Sequence, residues 1–210
     1  MRVRPIAADV LVTELADRID GVGPRRVRVA VDGAPSAGPD RLAEALVDPL
    51  RGRGRFALHV PSRGFWKAAS LRLERGRRNP DAFYEDWLDL GALTREVLAP
   101  LAPGGSGTVL PSRWDPDTDR ATRASYVDIP ANGVVLVSGP MLLGAGLQFD
   151  VVVHLEQSPA ALARRGDPAA AWTLPAYERY RDEVMPELLA DVVVRVDDPR
   201  RPAVVDNDRP

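Results

Sequence analysis

Residues 27–40 read VRVAVDGAPSAGPD, and the parsing of this stretch decides the fold. Val27, Val29 and Val31 alternate with Arg28 and Ala30, as in a strand entering a sheet, and Gly33 ends it. Residues 40–51 (DRLAEALVDPLR) have helical spacing as far as Pro49. Between them lies a strand-to-helix turn. In sheets flanked by helices, ligands bind beyond the carboxyl ends of the strands, so this turn is the first place to look. Gly33 and Gly38 have the spacing of a phosphate-binding loop, G-x-x-x-x-G-K-[ST], with Ala34, Pro35, Ser36 and Ala37 between them. Such a loop bends the backbone so that successive N–H groups face phosphate oxygens. Its lysine neutralises charge and its hydroxyl holds magnesium. Here Pro39 stands in the lysine's place and Asp40 in the hydroxyl's. Proline removes a cation and a donor, and aspartate stabilises the helix dipole but repels a triphosphate. Hydrogen bonds to charged groups are worth ~1.5–3 kcal/mol each, so the two changes together remove several. The plainer reading is an ordinary helix start, with Pro39 as first helical residue and Asp40 in the first turn.

Outward from this turn, strands and helices alternate. Residues 5–19 place Ile6, Val10, Leu11, Leu15 and Ile19 on one helical face. Arg55 to Val60 reads as a second strand and 61–82 as a long arginine-rich loop with short helical pieces. Residues 83–99 read as a helix broken at Gly91, 100–108 as a turn cluster, and 109–131 as mixed strand and loop. GVVLVSG (133–139) and FDVVVHLE (149–156) are almost continuously apolar, as strands covered on both faces are. Ser158 caps a short helix that has Pro159 at its first position and ends near Arg165. Pro175 to Ala190 is a further helix and 191–198 a last strand. The pattern predicts an α/β fold of three layers, a mostly parallel central sheet flanked by helices. A single domain spans 1–198, with 1–24 as N-terminal helix and lead-in, and 199–210 is a flexible charged tail.

Composition narrows the function classes. The 210 residues carry 28 basic and 30 acidic side chains, a net charge of −2, and Lys67 is the only lysine. There is no general field for nucleic acid or an anionic membrane. No cysteine means no disulfide framework, thiolate zinc site or cysteine nucleophile, which suits a reducing, cytoplasmic setting. His59 and His154 are too few for a histidine-rich metal centre, and no metal ligand is assigned. No basic-then-apolar leader opens the chain, and no apolar run approaches the ~18 residues of a membrane span.

VRVAVDGAPSAG, RLERGRRNPDAFYEDWLDLGAL, VVLVSGPMLL, FDVVVHLE and ERYRDEVMPELLADVVV follow in that order over residues 25–197. Together they resemble the uridine kinase family of P-loop proteins. The resemblance implies phosphoryl transfer from ATP, with magnesium, to a nucleoside hydroxyl, and an aspartate after the second strand as base. That aspartate belongs to a V-D-D-F-like motif, matched here by Ser62-Arg63-Gly64-Phe65. The phenylalanine stays and the acids have gone. Where the family often has an acid before glycine, this chain has Ser138-Gly139. The expectation is a degenerate phosphate loop with no base: a pseudokinase that binds a nucleoside-like or anionic small molecule and transfers phosphate weakly or not at all. One alternative is an active nucleoside or small-molecule kinase that has rebuilt phosphate binding with arginine and uses ATP and magnesium. Another is a regulatory or scaffold protein. A homodimer is a candidate assembly.

Individual residues carry these readings. Asp32, at the end of the first strand, and Asp86 are the catalytic candidates; Asp32 otherwise only caps its turn. Asp86 and Asp89 lie three apart, so on a helix they share a face that meets a ribose or a cation, or simply faces solvent. Arg63, Phe65 and Lys67 surround the place of the missing base, and Arg72 begins a basic stretch. The resemblance places Arg164 and Arg165 in a phosphate-clamping lid, although late arginines also suit a helix dipole. Asp115, Asp117 and Asp119 alternate like a cation loop but lack its glycine and glutamate, so they read as turn residues. His154 and His59 read as satisfied histidines on buried strands, and the four tryptophans as scattered, with one or two in the core.

Overall fold

The computed structural model describes residues 2–206. Its elements are β1 (Arg2–Pro5), α1 (Ala8–Asp20), β2 (Val27–Gly33), α2 (Pro39–Gly52) and β3 (Ala57–Pro61). Short helices α3 (Ala69–Arg72), α4 (Pro80–Glu85) and α5 (Leu90–Leu93) follow. Then come two small ribbons, from β4 (Thr108–Val109), β5 (Trp114–Asp115), β6 (Arg120–Ala121) and β7 (Val127–Asp128). The chain returns to the sheet with β8 (Val134–Gly139) and β9 (Val151–Glu156). It ends with α6 (Pro159–Arg165), α7 (Leu174–Val184), α8 (Pro186–Leu189), β10 (Val192–Arg195) and β11 (Ala203–Asp206).

The main sheet has the order β1-β11-β10-β9-β2-β8-β3. The five strands from β10 to β3 are mutually parallel, while β11 and β1 close one edge antiparallel. Alternation along β2 explains the layering. Val29 and Val31 pack with Leu15 and Ile19 of α1 and Leu46 and Leu50 of α2. Ala30, between them, belongs to the opposite core with Phe65, Leu93, Leu98 and Tyr180. Both faces of the central strands are therefore covered, which is why they are apolar throughout. This is the three-layer α/β arrangement.

Several boundaries differ from expectation for identifiable reasons. The first helix starts at Ala8 rather than residue 5, because residues 2–5 pair with β11. Helix α2 continues through Pro49 to Gly52; a proline in the last turn loses only one hydrogen bond. The break in 83–99 falls at 86–89, not at Gly91, because Asp89 caps a new helix by accepting the Ala92 N–H at 2.9 Å. The final helix breaks at Met185, whose φ is +49° and which precedes Pro186, a position that disfavours helical backbone. The tail expected from Pro199 is not loose over 203–206, where Val204 and Val205 join the sheet as β11; residues 207–210 lie outside the described residues.

Candidate functional site

The register of the sheet builds the first part of the site. β2 and β9 pair so that Asp32 stands opposite His154. Asp150 holds this register at the other end of β9, accepting from the Arg28 backbone N–H at 2.8 Å, the Arg28 guanidinium at 2.9 Å and Arg25 at 2.9 Å. Asp32 is fully buried and accepts three hydrogen bonds: His154 Nδ1 at 2.7 Å, the Tyr180 hydroxyl at 3.0 Å and the Leu142 N–H at 2.8 Å. The Tyr180 hydroxyl in turn accepts the Leu143 N–H at 3.2 Å. Burial, and then the neighbouring Asp32, push the Tyr180 and Tyr177 phenols well above their ordinary range. Asp32 thus ties β2 to β9, to α7 and to the segment after β8, and does more than cap its turn.

The second part is the loop. Gly33 has a φ of +156°, and a Cβ there would meet Leu155 at 3.0 Å. Gly38 has a φ of +82° and hands the chain to α2. Between them Pro35–Ala37 make one tight turn, in which the Ala37 N–H bonds Ala34 O and the Gly38 N–H bonds Pro35 O. Ser36 turns away to donate to Gln157 Oε1 at 2.6 Å. Asp40 accepts from the Ser138 hydroxyl at 2.5 Å, and His59 Nε2 lies 2.7 Å from the same hydroxyl. Burial lowers the His59 pKa against the opposing pull of Asp40 and Glu44. Ser62 Oγ, buried beside Gly139, has no partner.

Asp40 and Ser138 had been expected as two separate losses. They are in contact: the Asp40 carboxylate accepts from the Ser138 hydroxyl. Sequence reasoning treated them singly because 98 residues separate them. The adjacency of a helix start to the end of the neighbouring strand was the available signal.

The other candidates disperse. Asp86 ends α4 and pairs with Arg75 at 2.7 Å, while Asp89 caps α5 and pairs with Arg113 at 2.8 Å. The expected shared helix face does not exist, because the chain breaks between them. Arg63 pairs with Asp117 at 2.6 Å, and Phe65 is a core residue. The Lys67 backbone is held by Trp87 O at 2.9 Å. Arg72 is buried, donates to Lys67 O at 2.6 Å and lies 5.7 Å from the Trp66 ring and 4.9 Å from Trp87, so the structure gives it a packing role. The tryptophans are less scattered than expected: Trp66, Trp87 and Trp172 surround Phe83. Asp115 and Asp119 serve their ribbon, accepting from Thr118 and from Trp114 Nε1. Arg164 and Arg165 meet Arg41 and Arg200 around a cleft of about 510 Å³ that Asp197 and Asp198 also line. Among the described residues these four guanidinium groups form no hydrogen bond or ion pair. Also among the described residues, no three histidine or carboxylate side chains cluster as a metal site, and no helix is long and apolar enough to cross a membrane.

No family model matches the chain, and no curated protein matches it. Solved structures do. A possible uridine kinase from Bacillus stearothermophilus matches with a TM-score of 0.66 at 22% identity, over 86% of this chain and 98% of that one. A proposed fructose transport system kinase from Silicibacter sp. TM1040 gives 0.60 at 24%, over 81% and 95%. The YGR205w protein gives 0.59 at 9%, over 96% and 100%. The chain has the uridine kinase-like P-loop fold.

Proposed function

We propose that this uridine kinase-like chain binds a nucleoside or a small anion and transfers phosphate weakly or not at all. One observation carries the reading. At the start of α2, Pro39 supplies neither cation nor N–H, and the Asp40 carboxylate sits against Ser138 where a phosphate and its magnesium would need positive charge and neutral ligands. The loop's own carbonyls take the Ala37 and Gly38 N–H groups. Arg63, in the place of the base, is paired with Asp117. These residues do not fit a magnesium–triphosphate held in the usual way.

Thermal melting tests this. A ligand at 100 times its dissociation constant adds ~2.7 kcal/mol to the native state. A shift with uridine but none with millimolar Mg·ATP is expected. Pro39→Lys combined with Asp40→Thr is expected to create an Mg·ATP shift. Turnover of ATP by the wild-type chain with a nucleoside acceptor would overturn the proposal. The four unpaired arginines around the 510 Å³ cleft favour a second reading, a kinase whose phosphate site has been rebuilt. It requires ATP turnover that Arg164→Gln with Arg165→Gln abolishes.

A further inference from the structure

A cavity of about 550 Å³ opens between α7 and the β9–β10 face of the sheet, with Gly33 and Ala34 at one end. Its size is that of a small-molecule site. The walls are largely apolar, including Leu155, Leu162, Leu174, Pro186 and Val193. Among the described residues, two polar side-chain groups on its lining besides the Glu187 carboxylate make no hydrogen bond or ion pair. The first is on His154. Its Nδ1 faces Asp32, which also accepts from Tyr180 and Leu142 and so has only acceptor capacity left for the ring. Nδ1 therefore carries a proton, and in that tautomer Nε2 is an acceptor. Among the described residues Nε2 bonds nothing, and His154 lines the cavity. The second is the Tyr177 hydroxyl, a donor that likewise makes no hydrogen bond.

The charges on the lining decide what kind of molecule fits. Arg195 is paired with Glu156 at 3.0 Å and Arg181 with Asp182 at 3.2 Å, while Glu178 and Glu187 add negative charge. Among the described residues no unpaired cation lines the cavity, so an anion would enter without compensation. This is the reverse of the arginine-lined cleft beyond α6.

We propose that this cavity binds an uncharged small molecule with a hydroxyl on an apolar body, the hydroxyl donating to His154 Nε2 and accepting from Tyr177. Asp32 is a positioning residue for this site: it selects the imidazole tautomer that leaves an acceptor in the cavity. The inference goes beyond the reading above, since it needs neither a nucleotide nor the loop.

Three fragment probes test it by NMR, read at the His154 ring and the Leu155 and Leu162 methyls: benzyl alcohol, toluene and benzoate. Long-range proton–nitrogen spectra are expected to show His154 protonated at Nδ1. Benzyl alcohol is expected to give saturable shifts, toluene at least tenfold weaker binding, and benzoate none. Asp32→Asn offers an amide N–H to Nδ1, moves the ring proton to Nε2 and is expected to weaken benzyl alcohol at least tenfold. Leu162→Trp fills the cavity from its rim and is expected to abolish the shifts without altering the circular dichroism spectrum. If Asp32→Asn fails to fold, Leu162→Trp and the probe series still decide. Toluene or benzoate binding as well as benzyl alcohol, shifts that do not saturate, or shifts that survive Leu162→Trp would each overturn the proposal. None of these outcomes depends on whether the chain binds uridine or ATP.

Discussion

Replacing Asp150 by asparagine tests how the site is held in register. Burial alone would raise the pKa of this carboxyl. Hydrogen bonds from the Arg28 side chain and backbone and from Arg25 outweigh burial and bring it down from 3.8 to about 2. At 1.36 kcal/mol per pKa unit, that difference stabilises the native state by about 2 kcal/mol wherever the carboxyl is ionised in both states. Because the native pKa is the lower one, the contribution is complete above about pH 4. It fades as the pH falls from 3.8 towards 2. Asp150→Asn keeps the shape and one acceptor but not the charge. Urea denaturation at pH 7 is expected to show a loss of about 2 kcal/mol, and at pH 2.5 most of that difference is gone. Equal losses at both pH values would refute the electrostatic account, as would a loss under about 0.5 kcal/mol at pH 7. Asp150 sets the pairing that puts Asp32 opposite His154, so the variant is also expected to broaden the His154 ring signals.

Asp40→Asn removes a charge that raises the His59 pKa while burial, which lowers it, remains, so the histidine is expected to titrate lower still. Its Hε1 shift followed against pH measures this, and a higher midpoint contradicts the Asp40–Ser138–His59 arrangement. Gly139→Ala puts a Cβ onto Ser62 Oγ at a φ of +142°, and it is expected to cost about 3 kcal/mol in urea melts. Ser62→Ala alone is expected to be near neutral, since its hydroxyl has no partner, and to recover at least ~1 kcal/mol of the Gly139→Ala loss. Simple additivity of the two would show that they do not touch.

What was legible in the sequence was local. The strand at 27–33, the glycine loop and the Ser158–Pro159 helix start all appear where the residues put them, because each depends on neighbours within one turn. The site is built from pairs far apart. Asp32 meets His154 across 122 residues and Tyr180 across 148, through strand register and the docking of α7, and no periodicity reports either. The expected face shared by Asp86 and Asp89 is absent for the complementary reason: Asp89 caps a new helix instead of continuing the one that holds Asp86 at its end. Val204 and Val205 form too short an apolar run to announce a strand, and they become one only because β10 offers an unpaired edge.

The tryptophan cluster has an optical consequence. Trp66 and Trp87 lie 5.1 Å apart, and Trp87 and Trp172 5.6 Å apart, centroid to centroid. Indoles this close share excitation before they emit, so three of the chain's four tryptophans act as one chromophore beside the Arg72 cation. They come from three separate segments: the loop after β3, the turn before α5 and the turn before α7. Near-ultraviolet circular dichroism therefore reports without any label whether those three segments are together. A partial opening would appear as the loss of a coupled signal while the far-ultraviolet spectrum stays intact.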